Sequence, residues 1–277
     1  MGCDKELKDL DYNNFDDAKE IVLRFRDEYL HGNIEELANF SFWDIAGTKY
    51  DCSGNDFDGD RTKIVYAIDK LLYIDSNIPE FLIGDRYNYS GDTINTFNTL
   101  FCKDRKSAEN KFCFTPSEIE IKNEFFRTYQ KIGNFYLLPC KTISTGKKNR
   151  SLNTYRNDEW FDYFDLFLVE LKNRLPLKEI LNKNNDFQTL LNKNDFFFDA
   201  KMDFDTFLKI FHLEDYKALS FNHISGEKLV HWWSKNLTAA EYKKFAFDYI
   251  AKATELINKR SLKLVEVLKT KYPELKN

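Results

Sequence analysis

Asp158, Asp162 and Asp165 recur at intervals of four and three residues, a spacing that gathers carboxylates on one face of a helix. Gathered so, they can hold a divalent cation or pair with the basic residues just upstream, Lys147, Lys148, Arg150 and Arg156. Their plainer role is to solvate a helix face, helped at Asp158 by the helix dipole. A second polar island, IGDRYNYSGDTINTFNTLF, offers Asp85 and Arg86 after a strand-like run and Asp92 as an N-cap. It reads either as a polar network organised around a turn or as hairpin and capping chemistry. The amides of Asn134 and Asn153 are placed to position a phosphate if such a site exists.

Other chemistries lose their key residues. The chain contains no G-x-G-x-x-G, G-x-S-x-G or H-E-x-x-H. STGKKNRS resembles a phosphate loop, but Lys141 stands where the upstream Gly is needed and Lys148 where Ser or Thr is needed. CSGNDFDGDRT clusters Asp51, Asp56, Asp58 and Asp60; with Gly59 as the loop glycine of a calcium site, Gly54 and Val65 fall where ligating carboxylates belong. That stretch reads as an acidic turn capping the element after Arg61. Glu120 and Lys122 have the E-x-K spacing of a nuclease core, but a capping box at Thr115 and Glu118 puts them on a helix. His31, His212, His223 and His231 lack ligand spacing, and HWW at His231 reads as a core or helix-end feature. No cofactor is expected, and no residues are assigned to a metal.

These groups must be positioned by helices. Asn33 before Glu36, Thr115 before Pro116 and Glu118, and Thr238 before Glu241 each have the pattern of a helix start. The first helix is predicted over 16–30, stopping at Gly32. The longest follows Thr238 and reaches Thr270 before Pro273, with room for a bend beyond Lys259 and Arg260. After Asn157, Phe161, Phe164, Leu168, Leu171 and Leu175 form one apolar stripe, which places the aspartates opposite. TKIVYAI, EFLIGD and FYLLP are short strand candidates. The fold class is therefore mainly α, or α+β with at most a small sheet.

The 277 residues suffice for a substantial core. An acidic body carrying the motifs spans 1–180 and a helical part 181–277, the two being separable or packed as one domain; LNKNNDFQTL and LNKNDFFF, ten residues apart, lie at the boundary. Residues 1–92 hold 21 Asp+Glu against 10 Lys+Arg, and residues 93–277 hold 24 against 31. An intramolecular match of acidic and basic parts explains this imbalance as well as a basic binding face does. Five cysteines without a C-x-x-C pair suit a reducing cytosol. Met1-Gly2-Cys3 is not followed by the residues acylation wants, and no apolar run approaches membrane-spanning length, so a cytoplasmic protein with no membrane partner is expected. The 26 Phe and 15 Tyr among abundant Asn, Lys and Ile match an AT-rich bacterial or phage genome.

The islands GDRYNYSGDTINTF, IGNFYLLP, LNTYR and DYFDLFL resemble a bacterial family of unknown function over about residues 75–170. IGNFYLLP with Asn153 also resembles the C-terminal HNH-type nuclease module of GmrSD-like restriction enzymes. That likeness maps onto Gly133, Asn134, Leu137, Leu138 and Asn153, and implies metal-dependent cleavage of nucleic acid. The upstream His of that module has no counterpart, because no His lies between His31 and His212; the chemistry then lacks its general base.

The sequence thus points first to a binding protein using Lys147, Lys148, Arg150, Asn153 and Arg156, with a protein partner first and nucleic acid second, in a setting of conflict between host and mobile elements. An enzyme acting on nucleic acid through Asp85, Asp92, Asp162 or Asp165 is the alternative, and a scaffold without an active site is the third reading.

Overall fold

A computed structural model of the protein describes residues 6–52, 57–75, 107–135, 137, 143–144, 149–150, 163–175, 186–193, 202–217, 229 and 232–276. In chain order the helices are α1 (Phe15–Tyr29), α2 (Lys63–Tyr73), α3 (Ser107–Phe112), α4 (Pro116–Thr128), α5 (Phe164–Lys172), α6 (Asp186–Lys193), α7 (Phe204–Ile210) and α8 (Ala239–Lys271). Helix accounts for 72% of the interpretable residues, and the described sheet is one two-stranded ladder, β1 (Ile143–Ser144) with β2 (Asn149–Arg150). The protein is mainly α.

Local capping explains several boundaries. Asn14 accepts from the Asp16 and Asp17 amides to start α1. After Leu30 the chain turns through His31 and Gly32 at φ of 50° and 78°, and Gly32 N–H returns to Arg26 O at 3.1 Å. Both full capping boxes form: Thr115 with Glu118 opens α4 and Thr238 with Glu241 opens α8. Each satisfies two amides that the first helical turn leaves without partners. Asn33 accepts from Glu35 N–H and opens a 3-10 turn, Ile34–Ala38, in place of the expected helix. The tighter winding puts Ile34 and Leu37 on one side, where both are buried.

α2 corrects a strand expectation. Thr62 accepts from Val65 N–H at its start, and all of Lys63–Tyr73 is buried. The isolated run TKIVYAI is rich in β-branched residues, but a helix buried all round tolerates them because packing outweighs propensity. α1 and α8 supply that packing. The final turn of α2 is closed by side chains from the C-terminal region: Lys271 Nζ donates to Leu72 O at 2.8 Å and Tyr272 OH to Leu71 O at 2.9 Å.

α8 runs unbroken through Lys259 and Arg260, where the sequence left room for a bend. It packs against α2, α4 and the turns Ile34–Ala38 and Ile132–Asn134, so one apolar cluster includes residues from both halves of the chain. Trp232, just before α8, is buried against Phe112 and Tyr242, a core role for that residue of the HWW stretch, whose His231 lies outside the described residues. Lys269 with Glu35 and Lys271 with Asp75 join the basic and acidic parts. Among the described residues no helix is long and apolar enough to cross a membrane.

Candidate functional site

Gly133 and Asn134 sit on the 3-10 turn Ile132–Asn134, pressed against α8. Gly133 N–H donates to Ser261 Oγ at 3.0 Å, and a Cβ added to Gly133 would stand 2.1 Å from Ile257 O and 2.5 Å from Ser261 Oγ. The residue is glycine because the two backbones touch. Asn134 is fully buried, and its amide donates to Tyr129 O at 2.6 Å.

Arg260 holds the other side of this turn. Its guanidinium is buried and donates from Nε to Phe211 O at 2.9 Å, from Nη1 to Gly133 O at 2.8 Å and to Phe135 O, and from Nη2 to Tyr73 OH at 3.3 Å. Carbonyl oxygens take the place of water around a cation that would otherwise be costly to bury. Asp69 and His212 lie within its field. Burial pushes the Asp69 carboxyl up to about 7 against the pull of Arg260, while burial and then Arg260 push His212 down to about 4.

Asp165 was expected on a solvated face. It is 3% exposed, and its carboxylate accepts from Tyr249 OH at 3.1 Å. Phe164, Phe167, Leu168 and Leu171 are buried beside it, so the inward face of α5 is wider than a single stripe. Asp165 lies one turn from Leu168, and Tyr249 of α8 gives its carboxylate a donor there. Burial and the nearby carboxylate push both Tyr249 and Tyr163 well above the ordinary phenol range; for Tyr163, Tyr242 adds to the effect.

The remaining candidates divide. Asp85, Arg86, Asp92, Lys147, Lys148, Asn153, Arg156, Asp158 and Asp162 lie outside the described residues. Arg150 is on β2, where antiparallel pairing sets it opposite Ile143 and Asn149 opposite Ser144. In the acidic turn, Asp51 bridges to Thr62 and accepts from Gly47 N–H at 2.8 Å, and Asp58 stands 3.8 Å from Arg61. The cap of α2 is Thr62, not an aspartate. Among the described residues, no three His, Cys, Asp or Glu side chains are grouped to hold a metal ion.

A cleft of about 520 Å³ escaped the sequence reading. It runs between the 3-10 segments at 34–45 and the C-terminal half of α4, lined by Glu36, Ser41, Asp44, Glu124, Arg127 and Lys131 among others. Glu124 and Arg127, at i and i+3, share one face of α4 and were the available signal; Lys131 stands beyond the helix end, just before the turn Ile132–Asn134. Lys131 Nζ donates to Asn258 Oδ1 at 2.9 Å. Burial holds its ammonium below the usual lysine range, with Glu124 offsetting part of the effect. Ser41 Oγ donates to Arg127 O and Trp43 Nε1 to Phe126 O, each at 3.2 Å, which ties the two walls together. No family model, no curated protein and no solved structure matches the chain.

Proposed function

We propose that the chain is a cytosolic bacterial or phage protein that acts by binding a macromolecular partner, a protein first and nucleic acid second, through its basic loop. One observation supports this most directly. Ile143 pairs antiparallel with Arg150 and Ser144 with Asn149, and Lys147 and Lys148 lie in sequence between the two strands. Asn153 and Arg156 follow within six residues of Arg150. Three cations in four residues favour an acidic surface, and long-range attraction of that kind acts chiefly on association rate and specificity. The abundance of Phe, Tyr, Asn, Lys and Ile fits an AT-rich bacterial or phage genome.

The test combines capture of proteins from bacterial lysate with binding of labelled duplex DNA and RNA, with and without Mg²⁺ or Mn²⁺. Replacing Lys147, Lys148 and Arg150 together by Ala should abolish partner binding while changing stability by less than about 0.5 kcal/mol, as surface substitutions usually do. Unchanged binding by that variant would overturn the proposal. Metal-dependent cleavage of nucleic acid would replace it with an enzymatic reading.

A further inference from the structure

The cleft beside α4 is lined by five charged side chains, Glu36, Asp44, Glu124, Arg127 and Lys131, and among the described residues none of them forms an ion pair. This is local to the cleft. Elsewhere on the same helix Lys122 pairs with Glu109, and Glu118 pairs with Lys243 at 2.8 Å. Opposite charges that share a concavity without meeting are spaced for a third group to stand between them.

Lys131 is the most constrained of the five. It is part-buried where it lines the cleft, and its described hydrogen bond is to a neutral amide oxygen, Asn258 Oδ1. A cation desolvated beside a neutral partner gains most from an incoming anion. Arg127, in the last turn of α4, lines the same cleft and adds a planar donor suited to a carboxylate. Glu36, Asp44 and Glu124 are exposed carboxylates on the two walls, a setting for an ammonium group. The volume falls inside the roughly 300–1,000 Å³ typical of small-molecule sites. The Ser41 and Trp43 hydrogen bonds across the walls hold the cleft open in one geometry.

We infer that this cleft binds a small zwitterion of the amino-acid or short-peptide class, with its carboxylate on Lys131 and Arg127 and its ammonium among Glu36, Asp44 and Glu124. None of these residues belongs to the basic loop, and the inference does not rest on it.

The experiment is calorimetric titration of the full chain with lysyl-glutamate, arginyl-aspartate, glycyl-glycine and alanyl-alanine, with acetate and methylammonium as single-charge controls. Saturable binding of at least one dipeptide is expected, weakened tenfold or more in Lys131→Met and in Glu124→Gln, and retained in Lys244→Met, an exposed lysine on α8. The single-charge controls should give no saturable heat. Glu124 is exposed, so Glu124→Gln reads the site even if Lys131→Met folds poorly; melting curves identify that case. Absence of saturable binding by every dipeptide overturns the inference, as does binding that Glu124→Gln leaves unchanged.

Discussion

Lys131 and Gly133 are two residues apart and both reach α8, yet they serve opposite ends. Gly133 closes onto Ser261 and Ile257 without room for a methyl group, and its carbonyl is claimed by Arg260. Lys131 touches the same helix one turn earlier, at Asn258, and lines a cleft whose charges make no ion pair among the described residues. The difference lies in how each polar group is satisfied. Where backbone and side chains saturate one another in a dry setting, the residues specify the fold. Where charges are held apart at a concave surface, they retain capacity for a ligand.

The sharpest way to break this comparison is at the buried side. Arg260→Met removes the donor shared by Gly133, Phe135 and Phe211 carbonyls and should destabilise by roughly 3–5 kcal/mol, read as a fall in the urea midpoint. A loss below about 1 kcal/mol would mean that water replaces the guanidinium and that the turn is not dry.

An effect of comparable size and opposite sign is expected at Asp69. Its carboxyl is raised to about 7 in the folded protein from an ordinary 3.8, so the folded state holds the proton more tightly than the unfolded chain does. Stability attributable to this group is then fully present below about pH 4 and is lost as the pH rises toward 7. Asp69→Asn removes the penalty, and its advantage over the natural chain should grow between pH 4 and pH 7 to about 4 kcal/mol, then level off. Denaturation at a series of pH values checks this. An advantage that shrinks with rising pH would show that Arg260 stabilises the carboxylate more than burial penalises it.

The smallest effect belongs to the cleft. Lys131→Met should change stability by no more than about 0.5 kcal/mol, because one neutral hydrogen bond is lost while the desolvation of an ammonium is relieved. A loss as large as that of Arg260→Met would assign Lys131 to the fold and erase the distinction.

What the sequence made legible follows from distance along the chain. Thr115 with Glu118 and Thr238 with Glu241 act within one turn, so their boxes could be read directly. Thr62 also acts locally, but the run it opens resembled a strand because helical α2 depends on packing by α1 and α8. Asp165 was assigned to solvent because its partner, Tyr249, lies 84 residues away. The role of Arg260 was hidden for the same reason: Phe211, Gly133 and Phe135, whose carbonyls it binds, are remote. The cleft was invisible because one wall comes from the 34–45 segments and the other from α4, although Glu124 and Arg127, three residues apart on α4, marked part of it.

The side-chain closure of α2 by Lys271 and Tyr272 also orders events in time. Those two residues are synthesised about 200 positions after the carbonyls they cover, and Arg26 of α1 likewise donates to the Glu274 and Leu275 carbonyls. Loops of that length close slowly, and a nascent α1–α2 pair leaves apolar surface uncovered until they do. During translation the first two helices must therefore wait for the end of α8 before these carbonyls are covered.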